Sequence, residues 1–373
     1  MKDGKLQVAL VGCGGIARQK HLPALSKLSG KCELAAFCDI IEERAANAAR
    51  EFGAAGAKVC TDYKEVLKDG RIDVVHVLTP NVAHAPITVA AFEAGKHVLC
   101  EKPMAHNTED AQKMLDAWKK SGKQFTIGYQ NRFRPEIRML RAAVEAGELG
   151  RIYFGKAHAV RRRAVPTWGV FPNKALQGGG PLIDIGTHAL DITLWMMDNY
   201  SPQSVSGSVF YELGHLRQAT EGNLFGPWDP ETYEVEDSAF GLIKLAGGAA
   251  RGPAIFLEAS WALNVAQSRE ASVTLCGTLA GAEVYSGMKA GSNEIVINRG
   301  HHGQLTEERI SDSGEIAYFA GGAEEPGTME ARQWLDAVLN GGSPLVTPEQ
   351  AFTVTKILEA LYKSAESGKE VVF

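Results

Sequence analysis

The sequence lacks any apolar run long enough to cross a membrane, and it lacks an excess of positive charge. No run approaches the roughly 18 or more apolar residues that indicate a membrane-spanning helix. The N-terminal apolar run, within MKDGKLQVALVG, is too short and too soon interrupted by glycine to be a signal peptide. The formal net charge is −5, whereas a nucleic-acid partner usually requires a basic surface. We therefore expect a cytoplasmic protein that binds neither membranes nor nucleic acids.

Cysteine is scarce, and its spacing matches no metal-binding or redox motif. The six cysteines include no C-x-x-C pair, so the sequence predicts neither a zinc site nor a thioredoxin-like motif. His301 and His302 are adjacent, but no acidic residue flanks them, and we predict no metal site. Most cysteines lie in apolar, strand-like segments, where a free thiol behaves as a small buried hydrophobe. This pattern suits a reducing compartment.

The first third of the chain alternates apolar, strand-like segments with helix-forming segments. The 373 residues suffice for two domains, at roughly 100–200 residues each. Alternating strands and helices predict a parallel sheet with right-handed crossovers. We therefore predict a doubly wound Rossmann domain over residues 1–130. Its predicted strands are Leu6–Val11, Glu33–Cys38, Asp73–Leu78, His97–Cys100 and Gln124–Tyr129.

A glycine-rich turn joins the first predicted strand to a helix. Gly12 allows the tight turn, Gly14 lets backbone N–H groups approach a pyrophosphate, and Ala17 lets helix and strand pack closely. The helix N-terminus offers unpaired N–H donors and a positive dipole to the phosphates. The turn alone is weak evidence, but its place between a first strand and a helix strengthens it. The predicted phosphate-binding residues are Gly12, Gly14, Gly15, Ile16 and Ala17.

Asp39 follows the second predicted strand, about 20 residues beyond the glycine turn. A carboxylate at this place binds the ribose hydroxyls of NAD and repels the 2′-phosphate of NADP. The neighbouring Ile40 and Ile41 supply no cation to hold that phosphate, so the sequence favours NAD. The alternative interpretation is that Asp39 only forms a turn at the strand end.

The pattern changes after Tyr129. Strand-like segments bounded by glycine and proline follow a predicted helix at Pro135–Ala146. Strands gathered behind an alternating section indicate an antiparallel or mixed sheet. We therefore predict a second α/β domain over residues 131–373, ending in helices at about Met329–Leu339 and Pro348–Ser367. Its predicted strands are Arg151–Val160, Ser204–Phe210, Ser238–Leu245, Ile255–Trp261, Ser272–Cys276 and Glu294–Asn298.

The segment GGGPLIDIGTHALD, residues 178–191, carries the strongest candidate for acid–base chemistry. Pro181 suits the first position of a helix. Apolar residues at spacings of three and four predict one packed face, and Asp184, His188 and Asp191 form a second row on another face. A titratable imidazole one turn from a carboxylate is a compact acid–base device, and the glycines let a ligand approach the helix start. The alternative is an ordinary solvated polar face.

Two motifs together are specific to a known family. Glu101-Lys102-Pro103 and the segment 178–191 resemble the glucose–fructose oxidoreductase / inositol dehydrogenase / MocA family, and the resemblance covers essentially the whole chain. It includes the glycine turn, the Thr79-Pro80-Asn81 loop with His84, and the segment GYQNRF at residues 128–133. The resemblance implies a Rossmann domain and a second α/β domain whose open, mostly antiparallel sheet often serves oligomerisation. We therefore expect a homo-oligomer, either a dimer or a tetramer.

The resemblance also implies roles for individual residues. His188 accepts the hydroxyl proton, Lys102 stabilises the developing alkoxide, and Asp184 holds the substrate. Beyond the glycine turn, cofactor contacts are expected from Asp39, Thr79, Pro80, Asn81, His84, Glu101, Lys102, Gln130 and Trp168. Substrate contacts are expected from Lys102, Asn131, Arg132, Trp168, Lys174, Asp184 and His188.

The expected activity is NAD-dependent hydride transfer between the nicotinamide and a secondary hydroxyl or ketone of a sugar, polyol or glycoside, in a direction that the sequence leaves open. Two alternatives stay open: a glycoside-processing enzyme that oxidises a ring hydroxyl to allow glycosidic cleavage, and a non-enzymatic dinucleotide sensor, which the intact catalytic set disfavours. Residues 161–163, three arginines, suit either an acidic substrate or a solvated strand end. Trp168 suits either a sugar face or the core, and Leu213–Glu236 suits either a sugar-facing loop or a subunit contact.

Overall fold

The computed structural model describes Met1 and residues 4–247, 252–285, 293–310 and 324–373. By its internal packing the chain divides into two units. The first unit contains Met1–Phe133 and Glu324–Phe352, and the second contains Arg134–Ala323 and Thr353–Phe373. Among the described residues, no helix combines the length and apolar character that crossing a membrane requires.

A parallel sheet, with six strands in the described part of the chain, forms the centre of the first unit. The strand order is β3-β2-β1-β4-β5-β6, and every neighbouring pair is parallel. The strands are β1 (Leu6–Val11), β2 (Cys32–Cys38), β3 (Lys58–Cys60), β4 (Val74–Val77), β5 (His97–Cys100) and β6 (Phe125–Ile127). The helices that alternate with them are α1 (Leu22–Ser26), α2 (Glu42–Phe52), α3 (Tyr63–Leu67), α4 (His84–Glu93) and α5 (Thr108–Ser121). The predicted doubly wound sheet is confirmed, and this is the dinucleotide-binding strand order.

A mostly antiparallel sheet, with nine strands within the described ranges, forms the centre of the second unit. The strand order is β14-β13-β12-β11-β7-β10-β9-β8-β15, in which β7 and β10 are the parallel neighbours. The strands are β7 (Ile152–Val160), β8 (Pro202–Phe210), β9 (Ser238–Leu245), β10 (Ala254–Ser260), β11 (Arg269–Gly277), β12 (Ala280–Tyr285), β13 (Glu294–His301), β14 (Gln304–Ile310) and β15 (Val371–Val372). The helices of this unit are α6 (Pro135–Glu145), α7 (Lys174–Gln177) and α8 (Thr187–Met197). The next helix, α9 (Pro326–Asn340), belongs to the first unit, and α10 (Pro348–Ser367) begins in the first unit and ends in the second. The predicted sheet type is confirmed.

Helix α8 packs closely against β7. Gly155 on β7 allows this approach, because a Cβ atom there would lie 3.0 Å from Cγ2 of Thr193. The residues of α8 from Thr187 to Met196 are all buried. The helix therefore has no solvated polar face, and the predicted apolar and polar rows both lie inside the second unit.

The first unit is completed by a segment from near the end of the chain. Helix α9 places Ala331, Trp334 and Leu335 in the same apolar core as residues of β1 and α1. The division of the chain therefore differs from the predicted boundary after residue 130. The physical reason is that the apolar face of α9 packs on α1 and on the Ala17–His21 segment of the first unit. The chain then passes into the second unit within α10, between Phe352 and Thr353.

Candidate active site

The glycine turn follows β1 at the carboxyl end of the first sheet. Gly12 has a φ of +99°, and a Cβ atom there would lie 2.4 Å from the Leu78 carbonyl oxygen, so no other residue fits. Cβ atoms built on Gly14 and Gly15 would meet no heavy atom within 4 Å. Their backbone therefore faces open space at the start of a helical segment, Ala17–His21. This arrangement suits the phosphates of a dinucleotide.

Asp39 lies just after β2 and is 8% exposed. One carboxylate oxygen accepts the Cys13 N–H at 2.8 Å, and the other accepts the Ile41 N–H at 2.9 Å. Asp39 thus fixes the glycine turn as well as its own turn. Because each oxygen has a second lone pair, these bonds leave room for the ribose contact, which stays a prediction.

His84 connects two loops of the first unit. Its ring is fully buried, with Nε2 2.9 Å from the Thr79 carbonyl oxygen and Nδ1 2.8 Å from the Pro103 carbonyl oxygen. Burial lowers its pKa, and a neutral ring can donate from one nitrogen only. His84 therefore donates to one of the two carbonyl groups and packs against the other, which gives it a structural place between the Thr79-Pro80-Asn81 loop and the Lys102 turn. Its direct contact with the cofactor stays a prediction.

The remaining predicted residues of the first unit lie after β5 and β6. Glu101 is buried, and Lys102 is half-buried beside it. Gln130 and Asn131 are half-buried, and the Gln130 side chain accepts a hydrogen bond from Lys20 at 3.2 Å. Arg132 is completely buried, and its guanidinium donates to the Leu345 carbonyl and to the Gln350 side chain. These bonds hold Arg132 inside the first unit, and its binding to substrate stays a prediction.

Asp184 and His188 lie at the start of the helical segment that continues into α8. Asp184 is half-buried within a π-helical turn, Leu182–Gly186, and His188 follows in the first turn of α8 at 8% exposure. The completely buried Trp261 donates from its indole Nε1 to Oδ2 of Asp184 at 3.0 Å. The carboxylate is therefore held in one orientation close to the imidazole-bearing turn.

A buried carboxylate, Glu236, occupies the start of this helix. It accepts hydrogen bonds from the N–H groups of Gly180 and Leu182 at 2.9 and 3.2 Å, and from the Tyr362 hydroxyl at 2.8 Å. A Cβ atom on Gly179 would lie 2.1 Å from that hydroxyl. The expectation that the glycines admit a ligand is therefore wrong for Gly179 and Gly180, because Tyr362 and Glu236 fill that space.

An aromatic cluster extends from the surface of the second unit to Asp184. Trp168 is 49% exposed and meets Phe225 and Phe171 edge to face, at 4.7 and 6.0 Å between ring centres. Phe171 contacts Trp261, the Asp184 partner, at 6.3 Å. Trp168 is thus an exposed aromatic face and is not part of the core. Lys174 is exposed at the start of α7.

The arginine run and the Leu213–Glu236 segment, whose roles the sequence left open, both lie in the second unit. Arg161 forms two bonds with the Glu270 carboxylate, at 2.7 and 2.5 Å, and is not solvated. In the segment Leu213–Glu236, Trp228 and Tyr233 are buried, so Phe225 is the aromatic residue of that segment at the exposed cluster. In the described ranges, no group of three or more His, Cys, Asp or Glu side chains is arranged to hold a metal ion.

Trp261, Glu236 and Tyr362 were not predicted from the sequence. They lie far along the chain from Asp184, and only the fold brings Trp261 to its carboxylate and Glu236 and Tyr362 to the start of its helix. Glycines at 179 and 180 were the available signal, because adjacent glycines mark a place where other groups approach the backbone. The predicted catalytic set is divided between the units, with Lys102 in the first and Asp184 and His188 in the second.

The fold and the glycine turn define a protein with a dinucleotide-binding domain, and comparison with known families shows the class of enzyme to which it belongs. The oxidoreductase-family model for an NAD-binding Rossmann fold matches residues 6–129. The oxidoreductase-family model for a C-terminal alpha/beta domain matches residues 141–373. The first unit therefore contains an NAD-binding Rossmann domain, and the predicted cofactor is confirmed. The chain belongs to the glucose–fructose oxidoreductase / inositol dehydrogenase / MocA family, as its motifs predict.

The chain is similar to several sugar and polyol dehydrogenases. The D-glucoside 3-dehydrogenase of Escherichia coli (strain K12) is 36% identical over 371 residues, which cover 100% of this chain and 98% of that protein. The levoglucosan dehydrogenase of Pseudarthrobacter phenanthrenivorans is 31% identical over 56% of this chain and 54% of its own. The inositol 2-dehydrogenase of Salmonella typhimurium is 31% identical over 52% and 55%, respectively. The predicted enzyme class, an oxidoreductase of the sugar and polyol dehydrogenase family, is confirmed.

Solved structures share the fold along the whole chain. Levoglucosan dehydrogenase in complex with NADH and levoglucosan has a TM-score of 0.81 at 23% identity and covers 99% of both chains. The aldose–aldose oxidoreductase of Caulobacter crescentus, complexed with glycerol, has a TM-score of 0.80 at 22% identity, over 99% of this chain and 100% of that one. These likenesses establish the common two-domain fold.

Proposed function

We propose that this enzyme uses NAD to oxidise a secondary hydroxyl of a sugar, polyol or glycoside, with His188 as the proton acceptor. The observation that carries the proposal is the half-buried Asp184, held by Trp261 one turn before His188. Among the substrate classes we favour D-glucosides. The D-glucoside 3-dehydrogenase relative aligns with the whole chain, whereas the levoglucosan and inositol dehydrogenases align with about half of it.

The first unit supplies groups that fit NAD. The open backbone at Gly14 and Gly15 suits the pyrophosphate, and the buried Asp39 suits the adenosine ribose. NAD held by these residues would supply the hydride acceptor for the oxidation. The chain itself contributes the binding of the phosphates and the discrimination against a 2′-phosphate.

The proton and the developing negative charge are handled by side chains. His188 accepts the hydroxyl proton as the hydride leaves the same carbon. Lys102 stabilises the alkoxide charge through its ammonium group. Asp184 accepts hydrogen bonds from substrate hydroxyls, and the Trp261 bond keeps its carboxylate oriented for them. Together these roles orient the reacting hydroxyl and remove its proton.

The exposed aromatic cluster fits a carbohydrate ring. Trp168 offers a large apolar face, and sugar rings carry C–H groups that pack on such faces. Lys174 can donate to hydroxyl groups near this surface. These contacts support binding of a sugar or glycoside more than binding of a small aliphatic alcohol.

A substrate screen tests the proposal. NADH formation is measured with D-glucosides, free sugars and inositols, using wild-type enzyme and His188→Ala as the matched control. We expect NADH formation with at least one carbohydrate, and its loss in the variant. Glycoside cleavage without net NADH would favour the glycoside-processing alternative. Tight NAD binding with neither reaction would favour the sensor.

We also propose a homo-oligomer formed through the face of the second sheet opposite α10. Gly207 and Gly241 approach Leu361 of α10, so the alternating residues of the same strands point to the other face. There Phe210 and Leu242 are exposed at 40% and 39%, and exposed apolar groups on a sheet tend to be covered. Light scattering should give a dimer or tetramer. A mass near the 40.1 kDa of one chain at micromolar concentration would contradict this.

A cytoplasmic location is part of the same proposal. All six cysteines are free thiols, and five of them are buried. Free thiols are typical of proteins in reducing compartments. Fractionation of the native cells should place the protein with cytoplasmic markers.

A further inference from the structure

A buried cluster of charged and imidazole groups lies beneath the Lys102 turn in the first unit. The Glu101 carboxylate accepts hydrogen bonds from Lys20 Nζ at 2.5 Å and from His21 Nε2 at 2.8 Å. Lys20 also binds the Glu330 carboxylate of α9 at 2.9 Å. His76 on β4 closes the cluster, with its Nδ1 3.2 Å from Nδ1 of His21. The proposed chemistry uses none of these side chains except Glu101, as a cofactor contact.

The bonds determine the state of the ring nitrogens. His21 must donate from Nε2, because the Glu101 carboxylate can only accept. Its Nδ1 is then the acceptor, and His76 donates to it. Burial and the nearby Lys20 charge lower the pKa of His21 to about 4, which keeps this ring neutral near pH 7. The cluster therefore places one ammonium group between two glutamates, with neutral imidazoles on one side.

The second oxygen of Glu101 faces the backbone of the proposed catalytic lysine. It accepts the Lys102 N–H at 3.1 Å. The carboxylate has a confined place, because a Cβ atom on Gly128 would lie 2.9 Å from its other oxygen. A buried carboxylate that is fully bonded holds its partners firmly, since breaking one bond leaves an uncompensated charge.

The turn is also held from its other end. His84 contacts the Pro103 carbonyl at 2.8 Å, so the backbone on both sides of the Lys102 side chain is fixed to buried groups. Glu330 extends this support, because α9 reaches the turn through Lys20 and Glu101. A displacement of about 1 Å of a catalytic group can cost about 100-fold in rate.

We propose that Glu101 is a positioning residue that holds Lys102 for catalysis, and that the Lys20–Glu330 pair holds Glu101 in place. This inference rests on the proposed function, in which Lys102 stabilises the alkoxide. The buried cluster then serves catalysis by Lys102 as well as the stability of the fold.

A double-mutant cycle tests the coupling. Glu101→Gln keeps the side-chain shape but loses the charge, and it should lower kcat about 10- to 100-fold with little change in the KM for the carbohydrate. In a Lys102→Ala background the same substitution should have no further effect, because the group that it positions is gone. Equal effects in both backgrounds would overturn the positioning role.

Two milder variants keep the test informative if Glu101→Gln fails to fold. Glu330→Gln can still accept from Lys20 but loses its charge, and it should reduce kcat several-fold only when Lys102 is present. Glu325→Gln is the matched control, because Glu325 lies on the same segment, is exposed and pairs with Lys27. An equal effect of the two substitutions would overturn the role of the Lys20–Glu330 pair.

A measurement without substrate separates this inference from the proposed function. An amine-acylating reagent is applied to wild type and Glu101→Gln, and labelling of Lys102 is followed by peptide mass spectrometry, with the exposed Lys174 as internal control. We expect Lys102 to be labelled faster in the variant and Lys174 equally. Unchanged labelling of Lys102 would overturn the positioning role. Changed labelling in a protein that oxidises no carbohydrate would leave the positioning and refute the proposed function.

Discussion

His188 lies in the first turn of α8, whose residues from Thr187 to Met196 are buried. The side chain is 8% exposed. We expect His188→Ala to lower turnover about 10²–10⁴-fold, the contribution of a positioned acid–base group. The affinity for NAD should be unchanged, because the phosphate-binding turn belongs to the other unit. Turnover and NAD titration measure the two effects, with His301→Ala, an exposed histidine, as the control. More than about a tenth of wild-type turnover would remove His188 from the mechanism.

Asp39 has two functions that substitution can separate. Asp39→Ala removes the acceptor of the Cys13 and Ile41 N–H groups as well as the charge, whereas Asp39→Asn keeps one acceptor oxygen. We expect both variants to lose discrimination against NADP, and the alanine variant also to lose stability by about 1–3 kcal/mol. Values of kcat/KM with each cofactor and urea unfolding check this. An asparagine variant that retains the full preference for NAD would show that the charge does not set it.

At the scale of elements, the helix start that carries Asp184 depends on Glu236. Glu236→Ala would leave the N–H groups of Gly180 and Leu182 and the Tyr362 hydroxyl without their acceptor. We expect a loss of about 2–4 kcal/mol of stability together with lower turnover. Tyr362→Phe is the control, since it removes one of the three bonds and should cost about 1 kcal/mol. Urea unfolding compares the two, and equal costs would argue against the cap.

The elements also show how far sequence reasoning reaches. The helix predicted at about Pro348–Ser367 agrees with α10, because a helix of 20 residues is long enough for its pattern to be read from the sequence. The strand β14 was missed, since six of its seven residues are exposed and leave no alternating pattern. The strand β3, with three residues, is too short for any period.

The candidate site also contains residues that the sequence could predict and residues that it could not. The glycine turn and Asp39 are local in sequence, so their spacing and their places after two predicted strands indicated a dinucleotide site. Trp261 binds Asp184, and Glu236 binds the start of the same helix, from distant positions that only the fold brings together. The buried state of α8 was also not predicted, because polar residues on a helix suggest a solvated face unless their partners are known.

For the whole molecule, the buried histidines predict a dependence of stability on pH. The pKa of His21 is lowered to about 4 by burial and by Lys20, and it is about 6.5 in an unfolded chain. Between these values the unfolded chain binds a proton that the folded chain does not, so stability rises with pH through this window. The shift corresponds to about 3 kcal/mol for this residue. Burial by itself would raise the pKa of the Glu101 carboxyl, but Lys20 and His21 outweigh it and hold this pKa well below its usual range. Protonation of Glu101 by acid therefore also destabilises the folded protein.

Urea midpoints measured from pH 4 to pH 6.5 should therefore increase steadily. The exposed His301→Ala variant should follow the wild-type curve. Burial raises the pKa of Glu330 to about 7, so this group alone would make stability fall with pH in the same range, whereas burial lowers the pKa values of His76, His84 and His97 as it does that of His21. A flat profile over this range would contradict the neutral, buried state of these histidines.

The return of α9 to the first unit has a consequence for how the chain is made. The glycine turn at Gly12–Ala17 is synthesised before strands β7 to β14, and Trp334 and Leu335, which belong to the same core as β1 and α1, are synthesised after them. Until then the nascent β1 and α1 lack the apolar partners that α9 supplies. The nucleotide-binding unit is thus begun before most of the second sheet and completed only after it, so recognition of NAD by the complete unit must await the synthesis of those strands.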